Sequence, residues 1–434
     1  MYWVTGKTPS LTGKVVLPAS KSTTIRGFIF STLASCQSTI INPLDSDDTE
    51  SAMRACEALG ARFHKACHSG EEMWNIYSKG VPLTSSCDIV HTGNSGITTR
   101  FMLPLLGLRK NHNVPIMFDC GEQMRARSMK PLIDALRELG MTIDYVAKQN
   151  QLPLRVSGPL LGGEVEIEGT HSQYASALLM ALPSAPRDSV IKVNNLNARP
   201  YVEMTLAFLR ERSIHISHTN AKKIDCFYMK GNQRYSSFCY RNTGDFSSAS
   251  SLIAMALLIP GNVELYGLDN NSVQGDRQLL DIAREMGADI QWVKDVLHIT
   301  GGKKLKGIRI DANAIPDLLP ALAVIGSAAS GCTDIVNVAQ ARMKETDRIR
   351  SMCNGLRALG ARIDEKADGM TIYQSQLKGA HCEGCDDHRT VMALTVAGCI
   401  ADGETRISDV ESVHKTYPLF YETIKSLGAT VREV

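Results

Sequence analysis

The sequence lacks several features that would narrow its function class. Lys and Arg number 47 against 45 Asp and Glu, so no excess of one charge sign indicates a nucleic-acid or membrane-surface partner. The longest apolar run, residues 252–259, is far below the roughly 18 residues that span a bilayer. The 12 cysteines are too sparse for a disulfide scaffold, and the first residues lack a secretory signal pattern. We therefore expect a soluble, cytoplasmic protein with reduced thiols.

Size and composition are those of a globular chain with more than one domain. The chain has 434 residues, of which 44% are hydrophobic and 21% charged. At roughly 100–200 residues per domain, this length predicts two or three domains. Composition by itself does not indicate a chemistry.

Internal repeats organise the chain. Five predicted helices end on a Leu-Gly or Met-Gly pair followed by an apolar strand, with the glycines at Gly60, Gly140, Gly287, Gly360 and Gly428. Glycine is the expected residue after a helix end, where a positive φ is needed. Residues 208–216 form a sixth copy in which the glycine is replaced. Six units of about 70 residues are too long for solenoid repeats and predict small α/β subdomains.

Each unit is predicted to run strand, helix, strand, helix, strand. In the first unit the strands are at 15–17 and 38–41, and the helices are at 24–34 and 48–59. Polar, glycine-rich turns precede one helix of most repeats. Helix N-termini with free N–H groups are natural anion sites, so the repeats predict several such sites.

Two basic segments lie at predicted helix starts. Residues 18–26 combine hydroxyls with Lys21 and Arg26, and residues 93–100 form a small-residue turn ahead of Arg100. Backbone N–H groups, hydroxyls and cations at one helix start suit a phosphate or carboxylate. A capped, solvated helix start and a tight turn are the respective alternatives, and the second segment lacks the Gly-Lys-Ser/Thr of a nucleotide-binding loop.

A third basic segment, residues 342–348, has five charged side chains in seven residues. Such a run often marks a solvated helix face. Here it follows an apolar strand at 333–338, and the spacing of Lys344 and Arg348 predicts that both lie on one helical face. Two neighbouring cations indicate a bound anion, and Glu345 between them is a candidate proton donor.

The fourth segment, Asp-Asp-His-Arg at 386–389, leads into a predicted helix at 390–400. Upstream, the pattern His-Cys-x-x-Cys-x-x-His at 381–388 has zinc-like spacing. Structural zinc ligands usually come as two separated pairs, so reduced bystander thiols are the favoured interpretation. Lys415 adds a cation before the last helix. If these cations converge, they form a pocket for small, multiply charged anions.

The motifs together carry a family resemblance. In chain order they are Leu-Pro-Ala-Ser-Lys-Ser at 17–22, Leu-Asp-Ser-Asp-Asp at 44–48, Gly-Asn-Ser-Gly at 93–96, Ser-Gln at 172–173, Arg-Pro-Tyr at 199–201, Gly-Asp-Phe-Ser-Ser-Ala-Ser at 244–250, Gln-Gly-Asp at 274–276, Ile-Pro-Asp at 315–317, Lys-Glu-Thr-Asp-Arg at 344–348, Asp-His-Arg at 387–389 and Lys-Thr-Tyr-Pro at 415–418. In this order they resemble the 5-enolpyruvylshikimate-3-phosphate synthase family of enolpyruvyl transferases, from about residue 14 to the last helix.

The resemblance implies an α/β fold, a two-domain inside-out α/β barrel with three repeated subdomains of strands and helices per domain. Residues 21–242 would carry most contacts to shikimate-3-phosphate. Residues 1–20 plus 243–434 would carry most catalytic and phosphoenolpyruvate contacts. The domains would hinge near 18–21 and 241–245 and close over the substrates.

The implied reaction transfers the enolpyruvyl group of phosphoenolpyruvate to the 5-hydroxyl of shikimate-3-phosphate and releases phosphate, on the route to chorismate and aromatic amino acids. It proceeds by addition and elimination through a tetrahedral intermediate and needs no metal or organic cofactor. The implied enzyme is a monomer that acts on small molecules, without a nucleic-acid or membrane partner.

The resemblance also implies site residues. Phosphoenolpyruvate would contact Lys21, Gly96, Arg127, Gln173, Arg348, Arg389 and Lys415. Shikimate-3-phosphate would contact Lys21, Ser22, Arg26, Ser172, Gln173, Arg199, Tyr201, Asp317, Gln340 and Lys344. Asn94 and His388 would line the site. Lys21 would also be catalytic, Asp317 would take the hydroxyl proton, and Glu345 would protonate the methylene carbon, with Lys344 as the rival for either proton step.

Five residues depart from the family pattern: Ile97, Ser128, His171, Ala198 and Gln340. Ile97 replaces a usual threonine and bears on sensitivity to glyphosate, an inhibitor of the phosphoenolpyruvate site. Ser128 replaces a proline, so Arg125 is an alternative to Arg127. His171 and Ala198 replace serines, and each loses about one hydrogen bond, roughly 0.5–1.5 kcal/mol.

Two alternatives stay open from the sequence. A related transferase acts on UDP-N-acetylglucosamine and uses a reactive cysteine in a mobile loop, and Cys120 lies in about that region. A decayed anion-binding copy would keep the fold without turnover. Loss of Asp317 or Glu345 would have favoured the decayed copy, and both residues are present.

Overall fold

The computed structural model describes residues 1–85 and 87–434, and the chain divides into two units. The continuous unit is Lys21–Asn242, and the discontinuous unit is Met1–Ser20 together with Thr243–Val434. Each unit has an apolar core of its own. Of the helices in the described ranges, none combines the length and the apolar character needed to traverse a lipid bilayer.

Strands and helices alternate along most of the chain. The chain start contributes β1 (Trp3–Thr5) and β2 (Gly13–Val16) to the discontinuous unit. The continuous unit contains α1 (Lys21–Leu33), β3 (Ala34–Ile41), α2 (Asp47–Ala58), β4 (Arg62–His68), β5 (Glu71–Lys79), β6 (Ile89–His91), α3 (Gly96–Leu105), β7 (Ile116–Asp119), α4 (Glu122–Arg125), α5 (Lys130–Glu138), β8 (Thr142–Tyr145), β9 (Leu154–Ser157), β10 (Glu164–Glu168), α6 (Ser172–Ala181), β11 (Ser189–Asn194), α7 (Arg199–Glu211), β12 (Ile216–Ala221), β13 (Ile224–Met229), β14 (Tyr235–Ser236) and β15 (Cys239–Arg241).

The remainder of the discontinuous unit contains α8 (Phe246–Leu258), β16 (Gly261–Tyr266), α9 (Gln278–Glu285), β17 (Asp289–Val293), β18 (Val296–Gly301), β19 (Arg309–Asp311), α10 (Leu319–Ala328), β20 (Cys332–Val336), α11 (Arg348–Ala358), β21 (Ile363–Lys366), β22 (Gly369–Tyr373), β23 (His381–Cys382), α12 (His388–Ile400), β24 (Thr405–Ile407), α13 (Phe420–Ser426) and β25 (Val431–Glu433). Short 3-10 turns at Gly275–Arg277, Pro316–Leu318, Ala339–Met343 and Val410–Lys415 adjoin some of these elements.

The strands of the described residues form six small sheets with one shared plan. The orders are β14-β3-β5-β4 (with β15 also on β3), β6-β7-β9-β8 and β10-β11-β13-β12 in the continuous unit, and β2-β16-β18-β17, β19-β20-β22-β21 and β23-β24-β1-β25 in the discontinuous unit. The first two strands of each order are parallel and the other pairs are antiparallel. The six predicted repeats therefore correspond to six subdomains, three in each unit.

The predicted strand order within a repeat is wrong in two respects. The second helix is followed by a hairpin of two strands, such as β4 and β5, and not by one. In addition, β2 pairs with β16 through Val15 and Leu265, so it does not belong to the sheet of β3. Local patterns identify a strand, but its partner depends on long-range packing, and here the unit boundary separates β2 from β3.

Six inner helices, α1, α3, α6, α8, α10 and α12, are buried along almost their whole length. Helix α3 packs on α6, and both α8 and α10 pack on α12. Apart from a few buried cations such as Arg26 and Arg100, their side chains are mostly apolar or small, as expected of helices that are surrounded by protein. Helices α1, α3 and α12 begin within the basic segments that the sequence singles out as anion sites, whereas α10 follows the 3-10 turn Pro316–Leu318.

Local backbone features agree with the repeats. The glycines that end five repeats have φ between 86° and 104°, and Ser213 in the sixth copy takes the same left-handed region at φ 58°. The chain segments at the unit boundary run side by side, since Ser20 N donates to Thr243 O (2.9 Å) and Asp245 N to Pro18 O (3.0 Å). That these segments act as a hinge stays a prediction.

Candidate active site

One carboxylate in the discontinuous unit holds three cations. Asp317 lies in the 3-10 turn directly before α10. Its Oδ1 is 2.7 Å from Arg348 Nη1 and 3.1 Å from Lys344 Nζ, and its Oδ2 is 3.3 Å from Arg389 Nη2. Burial alone would raise the pKa of Asp317, but Lys344, Arg389 and Arg348 hold it well below its usual range. Asp317 is therefore ionised at neutral pH.

Arg348 in turn joins three carboxylates. Its Nε donates to Asp387 Oδ2 (2.7 Å) and its Nη2 to Glu345 Oε2 (2.6 Å), while Nη1 donates to Asp317. The Arg348 side chain is only 1% exposed. Burial by itself would lower the pKa of Arg348, but the carboxylates of Asp387, Glu345 and Asp317 raise it. The predicted residues Asp317, Lys344, Glu345, Arg348 and Arg389 thus form one charged cluster, which we call the Asp317 cluster.

The prediction that Lys344 and Arg348 share a helical face is wrong. Lys344 follows the 3-10 turn that ends at Met343, with φ −85° and ψ −149°, and α11 begins only at Arg348. The Asp347 side chain caps this helix by accepting from Arg350 N (3.0 Å), and an N-cap residue itself has non-helical φ and ψ. The two cations meet at Asp317 although they do not share a helix, because the chain bends at residues 344–346 before α11 begins at Arg348.

The first turn of α12 lies beside the Asp317 cluster. Asp387 caps the helix by accepting from Arg389 N (2.8 Å), and the buried His388 is its first residue. Arg389 Nη1 donates to Ser247 O (2.8 Å) at the start of α8, and Lys415 Nζ donates to Asp386 O (2.8 Å). The predicted residues of the last two basic segments therefore adjoin the Asp317 cluster.

In the continuous unit, cationic side chains crowd the start of α3. A Cβ on Gly96 would lie 2.6 Å from Arg127 Nη1 and 2.9 Å from Arg100 Nη1. The buried Arg100 also donates to Gln173 Oε1 (2.8 Å) at the start of α6. The alternative residue Arg125 forms hydrogen bonds and an ion pair with Asp119 instead. Gly96, Arg127 and Gln173 thus lie together, with Asn94 in the turn before them.

The start of α1 is held by two networks. Lys21 Nζ lies 2.9 Å from Asp48 Oδ2, and both side chains are almost buried. Arg26 is enclosed, and its guanidinium donates to Ser22 O (3.0 Å) and Tyr201 O (2.8 Å). Burial lowers the pKa of Arg26 to about 10. Arg26 therefore fixes the backbone of two other predicted contacts.

Arg199 has a partner that the sequence did not indicate. Its guanidinium makes two hydrogen bonds to the buried Asp225 (2.7 and 2.5 Å), and His218 Nε2 is 2.7 Å from the same carboxylate. Asp225 lies inside β13 between apolar neighbours, so no local pattern marks it. Ser172 is the first residue of α6. In the discontinuous unit, Gln340 donates to Asn313 O (2.9 Å).

Two residues that depart from the family pattern and two of the cysteines lie in environments that the structure defines. Ile97 is buried in the core of the continuous unit, and Ala198 stands before α7 in the left-handed region at φ 50°. Cys120 is fully buried, and burial raises the pKa of its thiol to about 12, contrary to a reactive cysteine in a mobile loop. In the described ranges, no group of three His, Cys, Asp or Glu side chains is placed to hold a metal, and Cys382 donates to Gly355 O.

Asp276 is a buried carboxylate that interacts electrostatically with Asp317 and Arg389, and no charge run in the sequence indicates it. It is buried beside Ser247, whose hydroxyl donates to its Oδ2. The Gln-Gly-Asp motif at 274–276 was the available signal, although nothing in its local pattern indicates contact with the Asp317 cluster.

Comparison with known proteins gives consistent matches. The model of the family described as EPSP synthase (3-phosphoshikimate 1-carboxyvinyltransferase) matches residues 5–424. The chain is 40% identical over 419 residues to a 3-phosphoshikimate 1-carboxyvinyltransferase of Acetivibrio thermocellus, covering 96% of both chains. It is 39% identical over 429 residues to the protein of that name from Methanocaldococcus jannaschii, covering 98% of both. A solved EPSP synthase from Acinetobacter baumannii shares the fold, with a TM-score of 0.82 at 22% identity over 99% of both chains.

Proposed function

Since the chain belongs to the EPSP synthase (3-phosphoshikimate 1-carboxyvinyltransferase) family, we propose that it transfers the enolpyruvyl group of phosphoenolpyruvate to the 5-hydroxyl of shikimate-3-phosphate and releases phosphate. The match over residues 5–424 confirms the family and the transferase class predicted from the sequence. The likeness to the Acinetobacter baumannii structure confirms the predicted fold class.

The observation that carries the proposal is the Asp317 cluster. Asp317 and Glu345 are two carboxylates held by a shared arginine, Arg348, with Lys344 and Arg389 beside Asp317. Addition to phosphoenolpyruvate needs a proton removed from a hydroxyl and a proton delivered to carbon, close to a multiply charged phosphate. The two carboxylates can serve the two proton transfers, and the cations around them can stabilise the charged phosphate.

The proposed chemistry follows from these positions. The neighbouring cations keep Asp317 ionised, and its carboxylate accepts the proton of the 5-hydroxyl. The 5-hydroxyl oxygen of shikimate-3-phosphate forms a bond to C2 of phosphoenolpyruvate at the same time. Glu345 delivers a proton to C3, which gives a tetrahedral ketal, and Lys344 is the rival donor or acceptor for either step. The C2–O bond to phosphate then breaks with its electron pair leaving on the phosphate, and C3 returns a proton to Glu345 to restore the double bond. The proton taken up by Asp317 leaves with the phosphate. Arg348, Arg389 and Lys415 stabilise the charge of the departing phosphate.

We assign the substrate contacts to the two units as follows. The continuous unit supplies most contacts to shikimate-3-phosphate, through Lys21, Ser22, Arg26, Ser172, Gln173, Arg199 and Tyr201. The discontinuous unit adds Asp317, Gln340 and Lys344 and supplies most catalytic contacts. Lys21, Gly96, Arg127 and Gln173 contribute to phosphoenolpyruvate binding with Arg348, Arg389 and Lys415. A monomeric state, a cytoplasmic location and the absence of nucleic-acid and membrane partners stay predictions.

The test is phosphate release by the purified protein. We expect release from phosphoenolpyruvate only when shikimate-3-phosphate is present, and none when UDP-N-acetylglucosamine is the acceptor. Release with the sugar nucleotide alone would show that the acceptor is misassigned. Well-folded protein that is silent with both acceptors would overturn the enzyme assignment and favour a decayed binding protein.

A further inference from the structure

Residues 274–276 clamp the first turn of α8. Gln274 Oε1 accepts from Phe246 N (2.9 Å), and its Nε2 donates to Gly244 O (3.2 Å). Asp276 Oδ2 accepts from the Ser247 hydroxyl, and Asp276 is 1% exposed. Both ends of this short segment therefore fix the same helix start.

Ser247 connects Asp276 to Arg389. Its hydroxyl donates to Asp276, while its carbonyl oxygen accepts from Arg389 Nη1 at 2.8 Å. The other terminal nitrogen of Arg389 lies 3.3 Å from Asp317 Oδ2. One residue thus separates a buried carboxylate from a guanidinium in the Asp317 cluster.

The charges that face Asp276 come from three other elements. Arg389 at the start of α12 attracts its carboxylate, whereas Asp317 before α10 and Asp245 at the N-cap of α8 repel it. Burial is the largest cause that raises the pKa of Asp276, and Asp317 adds to it. Together they raise the pKa of Asp276 to about 6, so its negative charge, which faces Arg389, is lost as the pH falls through that value.

We propose that Asp276 is a positioning residue for Arg389. Asp276 holds the guanidinium of Arg389 in place through Ser247, and the negative charge of Asp276 weakens the attraction of Arg389 for phosphoenolpyruvate. The inference rests on the proposed function, since it assumes that Arg389 binds this substrate. It predicts opposite effects for the two functions of the side chain, hydrogen bonding and charge.

Two variants separate hydrogen bonding from charge. Asp276→Asn keeps an oxygen that accepts from Ser247 but removes the charge, so we expect the KM for phosphoenolpyruvate to fall by about threefold or more at pH 8. Asp276→Ala removes the acceptor as well, so Ser247 and Arg389 lose their support and we expect KM to rise about tenfold. The control Gln274→Ala loosens the same turn without changing a charge. It should lower Tm and change KM by less than about twofold.

The pH dependence provides a readout that a structural role would not move. The ratio of the wild-type KM to the Asp276→Asn KM cancels the titration of the substrate phosphate, because both proteins meet the same substrate. We expect this ratio to fall towards one between pH 8 and pH 5, as Asp276 of the wild type becomes protonated. A ratio that does not change with pH would overturn the proposal. Equal changes of KM in Asp276→Asn and Asp276→Ala that parallel their losses in Tm would overturn it as well.

Failure of the inference can be told apart from failure of the proposed function. Wild-type turnover with Asp276 variants of unchanged KM would refute the inference alone. If the wild type shows no turnover, the proposed function fails. The Kd for phosphoenolpyruvate, measured by calorimetry for the wild type and the Asp276 variants, then still tests the inference about Asp276. No phosphoenolpyruvate binding by the wild type would overturn both.

Discussion

Replacement of Arg348 by methionine should expose how strongly the Asp317 cluster depends on one buried cation. Arg348 is 1% exposed and donates to Asp387, Asp317 and Glu345. In Arg348→Met the buried Asp387 loses this cation, and Asp317 loses one of its three cations. Breaking a buried pair by removing one partner costs about 3–5 kcal/mol. This is a large share of the roughly 5–15 kcal/mol by which proteins are stable.

The assay is urea unfolding of the wild type, Arg348→Met and the control Arg350→Met. Arg350 lies two residues further along α11, but its side chain is 66% exposed and 3.6 Å from Glu365. Loss of such a surface pair should cost less than about 1 kcal/mol. Equal losses in free energy of unfolding for the two variants would refute the assigned importance of Arg348.

The pH dependence has a defined sign. The folded pKa of Asp317 lies below its unfolded value. Its stabilising contribution is therefore complete above the ordinary pKa of about 3.9 and is lost as pH falls through the lower folded value. We expect the difference in free energy of unfolding between the wild type and Arg348→Met to be constant from pH 8 to pH 6 and to become smaller below about pH 4. A difference that widens on acidification would contradict this electrostatic origin.

Four further variants test other parts of the site. In Gly96→Ala the new Cβ would meet Arg127 Nη1 at 2.6 Å and Arg100 Nη1 at 2.9 Å, so the guanidinium groups must move. We expect the KM for phosphoenolpyruvate to rise about tenfold with little change in Tm, and an unchanged KM would refute the contact. Glu345→Gln should lower kcat by about 100-fold or more while calorimetry finds shikimate-3-phosphate binding retained. If Glu345→Gln turns over normally and Lys344→Met does not, Lys344 delivers the methylene proton. Cys120→Ala should keep kcat within about twofold, because the thiol is buried with its pKa raised to about 12. Loss of turnover in this variant would favour a cysteine-dependent transferase.

Features that depend on a few neighbouring residues were predictable from the sequence. Ser46 caps α2, and it does so with Thr49 as its capping-box partner. Gly96 begins α3 after a polar turn, and Gly60 ends a repeat with a positive φ. Caps and turns are set by local hydrogen bonds and by allowed φ values, so the local sequence carries them.

Features that depend on long-range pairing were not predictable. No local pattern shows that β1 inserts between β24 and β25, which brings the two chain ends into one sheet. Asp225 and Asp276 likewise meet Arg199 and Ser247 from distant positions. The spacing of Lys344 and Arg348 predicted the wrong local structure, since Asp347 caps a helix that begins only at Arg348. The family resemblance supplied the list of site residues, but the partners of those residues came from the fold.

The most direct test of Asp317 as the catalytic base compares kcat with substrate binding in Asp317→Asn. The control is Asp334→Asn in the same unit, whose carboxylate pairs with Lys366 and belongs to no part of the Asp317 cluster. General base catalysis is worth about 10²–10⁴-fold, so we expect kcat of Asp317→Asn to fall by at least about 100-fold. Its Kd for shikimate-3-phosphate should stay within about tenfold, and Asp334→Asn should turn over like the wild type. Asp317→Asn with a wild-type kcat would contradict the assignment of Asp317 as the base.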